Sequence, residues 1–405
     1  MDELRQRGWE KIRWVREHMR VLALLEERYV KERPLLGKRV AMAIHLEAKT
    51  ARLALALKAL GAEVAVTSSN PLSAKDDVAQ ALAEEMAVYA RGEATEKEYQ
   101  EFLLKVLSIR PNLVLDDGGD LGHLLHGEAW ELGQETVGLC EETTTGVVRL
   151  RKLEKAGRLR FPVVAVNDAH MKSLFDNRYG TGQSVWDAIM RATNLLLAGK
   201  TVLVVGYGWC GKGIAHRARG LGAEVVVAEV DPIKAAEAVM EGLRVAPVHK
   251  AIAQADLVVT ATGCINAVSF ADILAAKDGC ILANAGHFDV EIDVRSLYTQ
   301  AQVRKVRDHL EECILPNGKR VYLLAKGRLV NLVVGDGHPA EIMDLSFSLQ
   351  LLSLLWLAKE GKKLAPRVYA VPREIDAEVA RLFLSTRGIS IDELTPEQRE
   401  YLGLS

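Results

Sequence analysis

The chain has 405 residues, about half of them apolar and 26% charged, with 52 Lys and Arg against 54 Asp and Glu and a formal net charge of −2. That length favours two domains over a single core, and the near-balance of charge speaks against disorder and against nucleic acid as a partner. Cys140, Cys210, Cys264, Cys280 and Cys313 follow no CxxC or Cys/His spacing, so neither a disulfide framework nor a metal site is expected.

The N-terminal MDELRQRGWEKIRWVREHM lacks the apolar run of a signal peptide, and no stretch reads as long enough to span a bilayer. A cytoplasmic protein without membrane association is therefore expected. Strand-like RVAMAIH, helix-like TARLALALKALG and strand-like AEVAVTSSN, PNLVLDDGGD and FPVVAVND follow in turn, the alternation of βαβ units around a parallel sheet. Three of these strands run out into polar residues: His45 and Glu47, Asp116 and Asp117, Asn167 and Asp168. Open α/β sheets hold their ligands at that carboxyl edge.

A helix from about Ser184 to Ala198 leads to KTVLVVGYGWCGKG. There Gly206-Tyr207-Gly208-Trp209-Cys210-Gly211 follows the strand Thr201 to Val205 and opens a helix, with Gly213 where backbone must approach backbone. Gly206 allows the tight turn, Gly208 lets main chain reach a pyrophosphate, and the helix N-terminus offers free N–H groups. Glu229 ends the next strand, 18 residues beyond Gly211. A carboxylate there accepts hydrogen bonds from ribose hydroxyls and repels a 2′-phosphate, so NAD is favoured over NADP. Asp231-Pro232 reads as a simple turn.

After further α/β alternation, MDLSFSLQLLSLLWLAKEG predicts a long apolar helix that returns to the first domain. The last segment, from EIDAEVARLFL onward, predicts two short helices with Asp392 or Thr395 as a cap. The expected fold is α/β with two parallel-sheet domains. A discontinuous substrate domain takes residues 1–182 and 338–371, a Rossmann NAD domain 183–337, and a small helical extension 372–405.

Further strings pack more polar residues than structural loops need: His45 to Thr50, Asp116 to Asp120, Glu141 to Thr145, Asn167 to Asn177, and His287 with Asn331 and His338. Each alone is ambiguous. Taken in order, DDGGD, EETTTG, NDAHMKSLFDN, YGTGQS, GYGWCGKG, NAGHFDVEID and GRLVNL with GHP resemble the motif series of the S-adenosylhomocysteine hydrolases, from about residue 30 onward.

The resemblance implies a cycle in which the ribose 3′-hydroxyl is oxidised at a held NAD, homocysteine is eliminated, water is added and the ketone is reduced. It further implies Lys172 as base for the 3′-hydroxyl, Asp176 and Glu142 as acceptors from ribose hydroxyls, and Asn177 as the residue that steadies the lysine. A buried lysine among polar partners is expected to be neutral enough to accept a proton. Asp117 and His45 are the implied proton-transfer groups at C4′ and at the leaving sulfur or attacking water, in either order. His287 and Asn331 match positions near nicotinamide and ribose, His338 a substrate-contacting gate, and Thr143, Thr144 and Thr145 a cofactor-holding set.

The pattern is broken in several places. Where relatives carry a Thr-x-Glu or Thr-x-Gln pair at the adenine edge, this chain reads Glu47-Ala48-Lys49-Thr50. Lysine only donates and ionised glutamate only accepts, so Glu47 and Lys49 would suit hypoxanthine, with N1–H to Glu47 and O6 from Lys49. The other reading pairs Lys49 with Glu47 at a helix start. Asn70 and Ser73 match a homocysteine-end string, but Ala74 and Lys75 depart from it. Thr181 stands where many relatives have cysteine, and Asp336 is given no role. The Lys- and Tyr-bearing tail of longer relatives has no counterpart here, so NAD is expected to be held by another anchor or less tightly.

The expected substrate is a nucleoside-homocysteine thioether, and the expected assembly a homotetramer or dimer, with Leu382 and Phe383 as candidate contacts. A plain NAD dehydrogenase would share Gly206 to Glu229 but accumulate NADH. A nucleotide-sensing module would have no use for Lys172, Asp176, Asp117 and His45 together.

Overall fold

The computed structural model describes residues 2–70 and 73–404. Strand β1 (Arg39–Ala43) sends Val40 and Met42 into one apolar cluster and Ala41 and Ala43 into another. A strand that is apolar on both faces needs helices on both sides. The same alternation repeats in β2 (Glu63–Thr67), β3 (Ala87–Val88), β4 (Leu113–Asp116), β5 (Gly138–Glu141) and β6 (Val163–Ala165). Eight more strands follow: β7 (Thr201–Val205), β8 (Glu224–Ala228), β9 (Arg244–Val245), β10 (Leu257–Thr260), β11 (Cys280–Asn284), β12 (Gln302–Arg307), β13 (Leu310–Ile314) and β14 (Arg320–Leu324). A last strand, β15 (Val368–Ala370), returns to pair with β6.

One sheet has the order β15-β6-β5-β4-β1-β2-β3 and is parallel throughout. The other has the order β12-β13-β14-β11-β10-β7-β8-β9. It is not wholly parallel, as the sequence had suggested: β12, β13 and β14 pair antiparallel. Only Asp308 and His309, the latter at φ 60°, join β12 to β13, too short a link for the crossover a parallel pair needs. Strand order reverses between β1 and β4 in the first sheet and between β7 and β10 in the second, and a crevice opens beyond the carboxyl ends at each reversal.

The chain passes from the first sheet to the second along a helical run from His170 to Thr193, whose middle, Ser173–Gly180, is a π-helix. The run ends at Thr193, short of the expected Ala198. Asn194 adopts the left-handed conformation and donates its N–H to the Met190 carbonyl, a stop signal for which asparagine is suited.

The return helix, Ala340–Glu360, corrects a second expectation, because Ala340–Lys363 is long and apolar enough to cross a membrane. It is instead a core helix of the first domain: 72% of its most apolar 18-residue stretch is buried, and Leu345, Phe347, Leu349 and Leu351 fill the core. Helices that are apolar all round belong in such interiors. Its buried Asp344 accepts from the N–H groups of Val21 and Leu22 and so caps the helix Arg20–Tyr29 from across the core.

Near the C-terminus, helix Arg373–Ser385 lays Leu382 and Phe383 on the first core. Phe383 also meets the Phe175 ring at 6.1 Å and lies 3.8 Å beneath the Arg387 guanidinium. These two side chains, expected at a subunit contact, pack within their own chain. Thr395, not Asp392, caps the final helix Pro396–Tyr401, in a capping box with Gln398.

Candidate active site at the two sheet edges

A π-helix closes its hydrogen bonds one residue later than an α-helix, and such segments are common at functional sites. Here it brings two side chains, not one, onto Lys172. The ammonium donates to Asp176 Oδ1 at 3.1 Å and to Asn177 Oδ1 at 2.8 Å, with Glu142 Oε1 at 3.5 Å. Asp176 also accepts from Ser346 at 2.8 Å and meets His338 Nδ1 at 3.2 Å. Glu142 accepts from Gln350 at 2.5 Å through its other oxygen, while Oε1 has no hydrogen-bond donor. Asn177 donates to Asn167, which in turn donates to Thr144.

Lys172, Asp176 and Glu142 are all buried. Burial by itself would lower the Lys172 ammonium, but Asp176 and Glu142 outweigh it and hold the ammonium above its ordinary value. The expected neutral lysine is thus corrected: before substrate arrives, Lys172 is a cation. Asp176 is resisted by burial but held below its ordinary range by Lys172 and then His338. Burial pushes Glu142 up to about 8 against the pull of Lys172.

His45 and Asp117 follow β1 and β4, the two strands that flank the first reversal. His45 Nε2 lies 3.5 Å from Asp117 Oδ2, and His45 Nδ1 lies 2.6 Å from Ser73 Oγ. Burial lowers the His45 imidazole to about 4 although Asp117 pulls the other way, so the ring is neutral near pH 7. His287, beyond β11 of the second sheet, places Nδ1 3.8 Å from Asp117 Oδ1.

Behind Asp117, two buried carboxylates face each other in register, Asp116 on β4 and Glu141 on β5. Burial raises both, Asp116 to about 7. Asp116 accepts from the N–H groups of Asp117 and Gly122, and Glu141 from those of Gly118 and Thr143. The pair pins the turn that aims Asp117.

Glu47 caps the helix Ala48–Ala59 by accepting from the Lys49 N–H, and its carboxylate pairs with the Lys49 ammonium at 2.6 Å. That ammonium also donates to the Asp336 carbonyl at 2.8 Å, and Lys75 donates to the Gly335 carbonyl at 3.1 Å. Asp336 therefore meets Lys49 through its backbone, while its exposed carboxylate lies 3.7 Å from Arg191.

One cavity of about 870 Å³ joins these groups. His45, Glu47, Lys49, Thr50, Asp117 and Glu142 line it, as do Lys172, Asp176, Asn177, His287, Asn331 and His338. Its far end is walled by Gly206, Gly208, Glu229 and the three threonines Thr143, Thr144 and Thr145. Three expected site residues stand outside. Gly211 lies under the loop, where a Cβ would come within 1.9 Å of the Gly206 carbonyl oxygen. Ser73 stands behind His45, and the Asn70 carbonyl accepts from Ser73 at 2.9 Å. Glu229 accepts from the N–H groups of Tyr207, Val230 and Asp231, and Asp231 caps the helix Pro232–Met240.

The sequence reading missed Ser346 and Gln350, and gave Glu141, the first residue of its polar string, no role of its own. The signal was present, since Ser346 and Gln350 stand four residues apart in a largely apolar buried helix and so share one face.

Two family models match the chain, S-adenosyl-L-homocysteine hydrolase over residues 3–134 and its NAD binding domain over residues 177–337. The chain is 56% identical to an adenosylhomocysteinase of Thermotoga maritima, covering 98% of each chain. It is also 56% identical to an S-inosyl-L-homocysteine hydrolase of Methanopyrus kandleri, over 98% of this chain and 95% of the relative. Identity to an adenosylhomocysteinase of Pyrococcus abyssi is again 56%, over 98% and 94%. This chain belongs to the S-adenosyl-L-homocysteine hydrolase family.

The NAD-binding domain of this hydrolase family member fits its cofactor. Gly206 takes φ 96° beside the Ala261 carbonyl, which only glycine tolerates, whereas a Cβ at Gly208 would meet nothing within 4 Å on the cavity side. Asn331 Oδ1 and Thr145 Oγ1 are buried polar atoms with no partner, of the kind a bound ligand satisfies.

Proposed function

We propose that the chain reversibly hydrolyses S-adenosyl-L-homocysteine to adenosine and L-homocysteine. The observation that carries this reading is one cavity bearing a buried lysine with two carboxylates, a neutral histidine beside an aspartate, and a dinucleotide loop. NAD, when bound, supplies a hydride acceptor that later returns the same hydride to the ribose 3′-carbon. The chain's own residues do the rest. Glu142 Oε1, without a donor of its own, accepts from a ribose hydroxyl. Ribose hydroxyls that engage Asp176 and Glu142 weaken their hold on the Lys172 ammonium, which releases its proton to solvent before the site closes; the neutral amine, steadied by Asn177, then takes the 3′-hydroxyl proton through Nζ. Next to a 3′-ketone the 4′ C–H is acidic. Asp117 and His45, within reach of each other, remove that proton and protonate the leaving sulfur. His338, between Asp176 and Thr181, closes the site against water. The reaction is tested by release of free thiol without net NADH: Lys172→Ala should keep NAD and lose turnover, and undiminished hydrolysis would overturn the assignment.

A second reading, S-inosyl-L-homocysteine as preferred substrate, is favoured by Glu47 and Lys49. Lys49 spends one N–H on Glu47 and one on Asp336, which leaves a third for a purine O6. A relative as similar as the adenosylhomocysteinases carries the S-inosyl name. Comparing kcat/KM on the two thioethers decides between them, and a clear adenosyl preference sinks the second reading.

A homotetramer in the cytoplasm is proposed as well. It is supported by exposed Ile391, Leu394, Tyr401 and Leu402 on the C-terminal segment and by five unpaired cysteines. Light scattering tests the assembly, and cell fractionation the location.

A further inference from the structure

We propose that His45, Asp117 and His287 form a site for a borderline-soft divalent cation of the Zn²⁺ class, and that its occupation inhibits the enzyme. One ligand atom from each of the three residues lies within 4.8 Å of the other two. The two rings approach opposite oxygens of the one carboxylate, His45 Nε2 at 3.5 Å from Asp117 Oδ2 and His287 Nδ1 at 3.8 Å from Asp117 Oδ1. A tetrahedral zinc with bonds of about 2.0–2.1 Å sets its ligand atoms about 3.3 Å apart. With one carboxylate oxygen as ligand, atoms up to 4.8 Å apart close toward that spacing by rotation of the Asp117 carboxylate and tilt of the two rings, whose centroids are 5.6 Å apart.

Support behind the ligands is already built. Ser73 directs its hydroxyl hydrogen to the Asn70 carbonyl, so its oxygen is free to accept Nδ1–H from His45. That tautomer leaves His45 Nε2 as a bare lone pair facing the Asp117 carboxylate. Two acceptors aimed at each other ask for a proton or a cation between them, and a hydrogen bond to the far ring nitrogen is the usual support of a metal-binding histidine. On the other side Gly118, at φ 111°, lets the His287 ring close in: its nearest ring nitrogen would lie 2.6 Å from a Cβ there. The fourth position faces the cavity.

His45 and Asp117 belong to the first sheet and His287 to the second. A bound cation would therefore clasp the two domains and occupy the groups that carry protons. Binding of the cation stands without any assumption about the reaction; its inhibitory effect rests on the thioether-hydrolase reading.

The experiment titrates the NAD-loaded protein with Co²⁺ and follows visible absorption, and with Zn²⁺ and follows Tm. One Co²⁺ per chain with the intense bands of a tetrahedral site is expected, together with a rise in Tm because Zn²⁺ binds the folded state. Both signals should vanish in His287→Ala and in Asp117→Asn and persist in Cys264→Ser, which removes an exposed thiol. Zn²⁺ should also slow nucleoside release competitively with the thioether. Cobalt bands retained in His287→Ala, or no thermal shift in the parent protein, would overturn the site. Binding as expected with unchanged nucleoside release would overturn the inhibitory role alone. Failure of thiol release in the absence of metal would count instead against the proposed reaction.

Discussion

The ammonium of Lys49 donates to the carbonyl of Asp336 at 2.8 Å, across 287 residues of sequence. Lys75 joins it by donating to the carbonyls of Leu332 and Gly335. Two lysines of the first domain thus cap the carboxyl end of the short helix Val330–Val333, where unpaired carbonyls and the helix dipole both favour cations. Lys49, Lys75 and Asp336, three separate departures from the family pattern in sequence, are one contact in space.

Breaking this contact should be costly in an asymmetric way. Lys49→Met strands the buried Glu47 carboxylate and should destabilise by about 3–5 kcal/mol. Lys75→Met strands only carbonyls and should cost about 1–2 kcal/mol. Adding Glu47→Gln to Lys49→Met should recover part of the loss. Urea denaturation followed by tryptophan fluorescence gives all three values; equal costs for the two single variants would contradict the buried-pair account.

The buried His45 imposes a pH dependence on stability. Its folded value near 4 lies below the ordinary 6.5, so on acidification the unfolded chain takes up the proton first. The contribution is complete above pH 6.5 and is lost as pH falls toward 4, by about 3 kcal/mol at about 1.4 kcal/mol per pH unit. His45→Asn, which can keep the bond to Ser73, should flatten the fall of Tm between pH 6.5 and 4. Parallel curves for the two proteins would mean that His45 does not titrate as described.

Ser346 and Gln350 hold the two carboxylates beside Lys172. Ser346→Ala should lower kcat about tenfold and Gln350→Leu about ten- to hundredfold, the worth of one lost hydrogen bond to a charged group. NAD content should not change, because neither residue lines the cofactor end of the cavity. Steady-state kinetics beside cofactor quantification separates this positioning role from a general loss of folding.

Gly208 and Gly211 should respond differently to alanine. Gly211→Ala drives a Cβ into the Gly206 carbonyl and should lower Tm as well as NAD content. Gly208→Ala meets no protein atom, so Tm of the apoprotein should hold while NAD affinity falls by at least tenfold, since only the dinucleotide needs that space. Apoprotein melting and NAD retention after gel filtration read the two effects separately.

Much of this was legible in the sequence because it is local. Strand Thr201–Val205, its glycines and Glu229 lie within one βαβ unit, and the runs ending in His45 and Asp117 carry their polar residues in the last positions of apolar strands. What could not be read were properties set by neighbours distant in sequence. Lys172 looked like a neutral base until Asp176 and Glu142 were found within 3.5 Å. Leu382 and Phe383 read equally as subunit contacts or as packing within the chain, and only the fold showed the first core beneath them. The β12–β13 hairpin, joined by Asp308-His309, lacked a distinctive turn pair, while Asn317-Gly318 between β13 and β14 was a turn signal that the strand patterning alone did not bring out.

The sequence by itself determined that this chain has two sheets with ligand-bearing carboxyl edges, a dinucleotide loop and the residue set of its family, because strand patterning and glycine spacing are properties of short segments. Only the tertiary structure decided which charges those residues carry and which pairs they form. Protonation and hydrogen bonding in a buried site depend on groups brought together from both domains, at separations of a few ångströms that no sequence interval records.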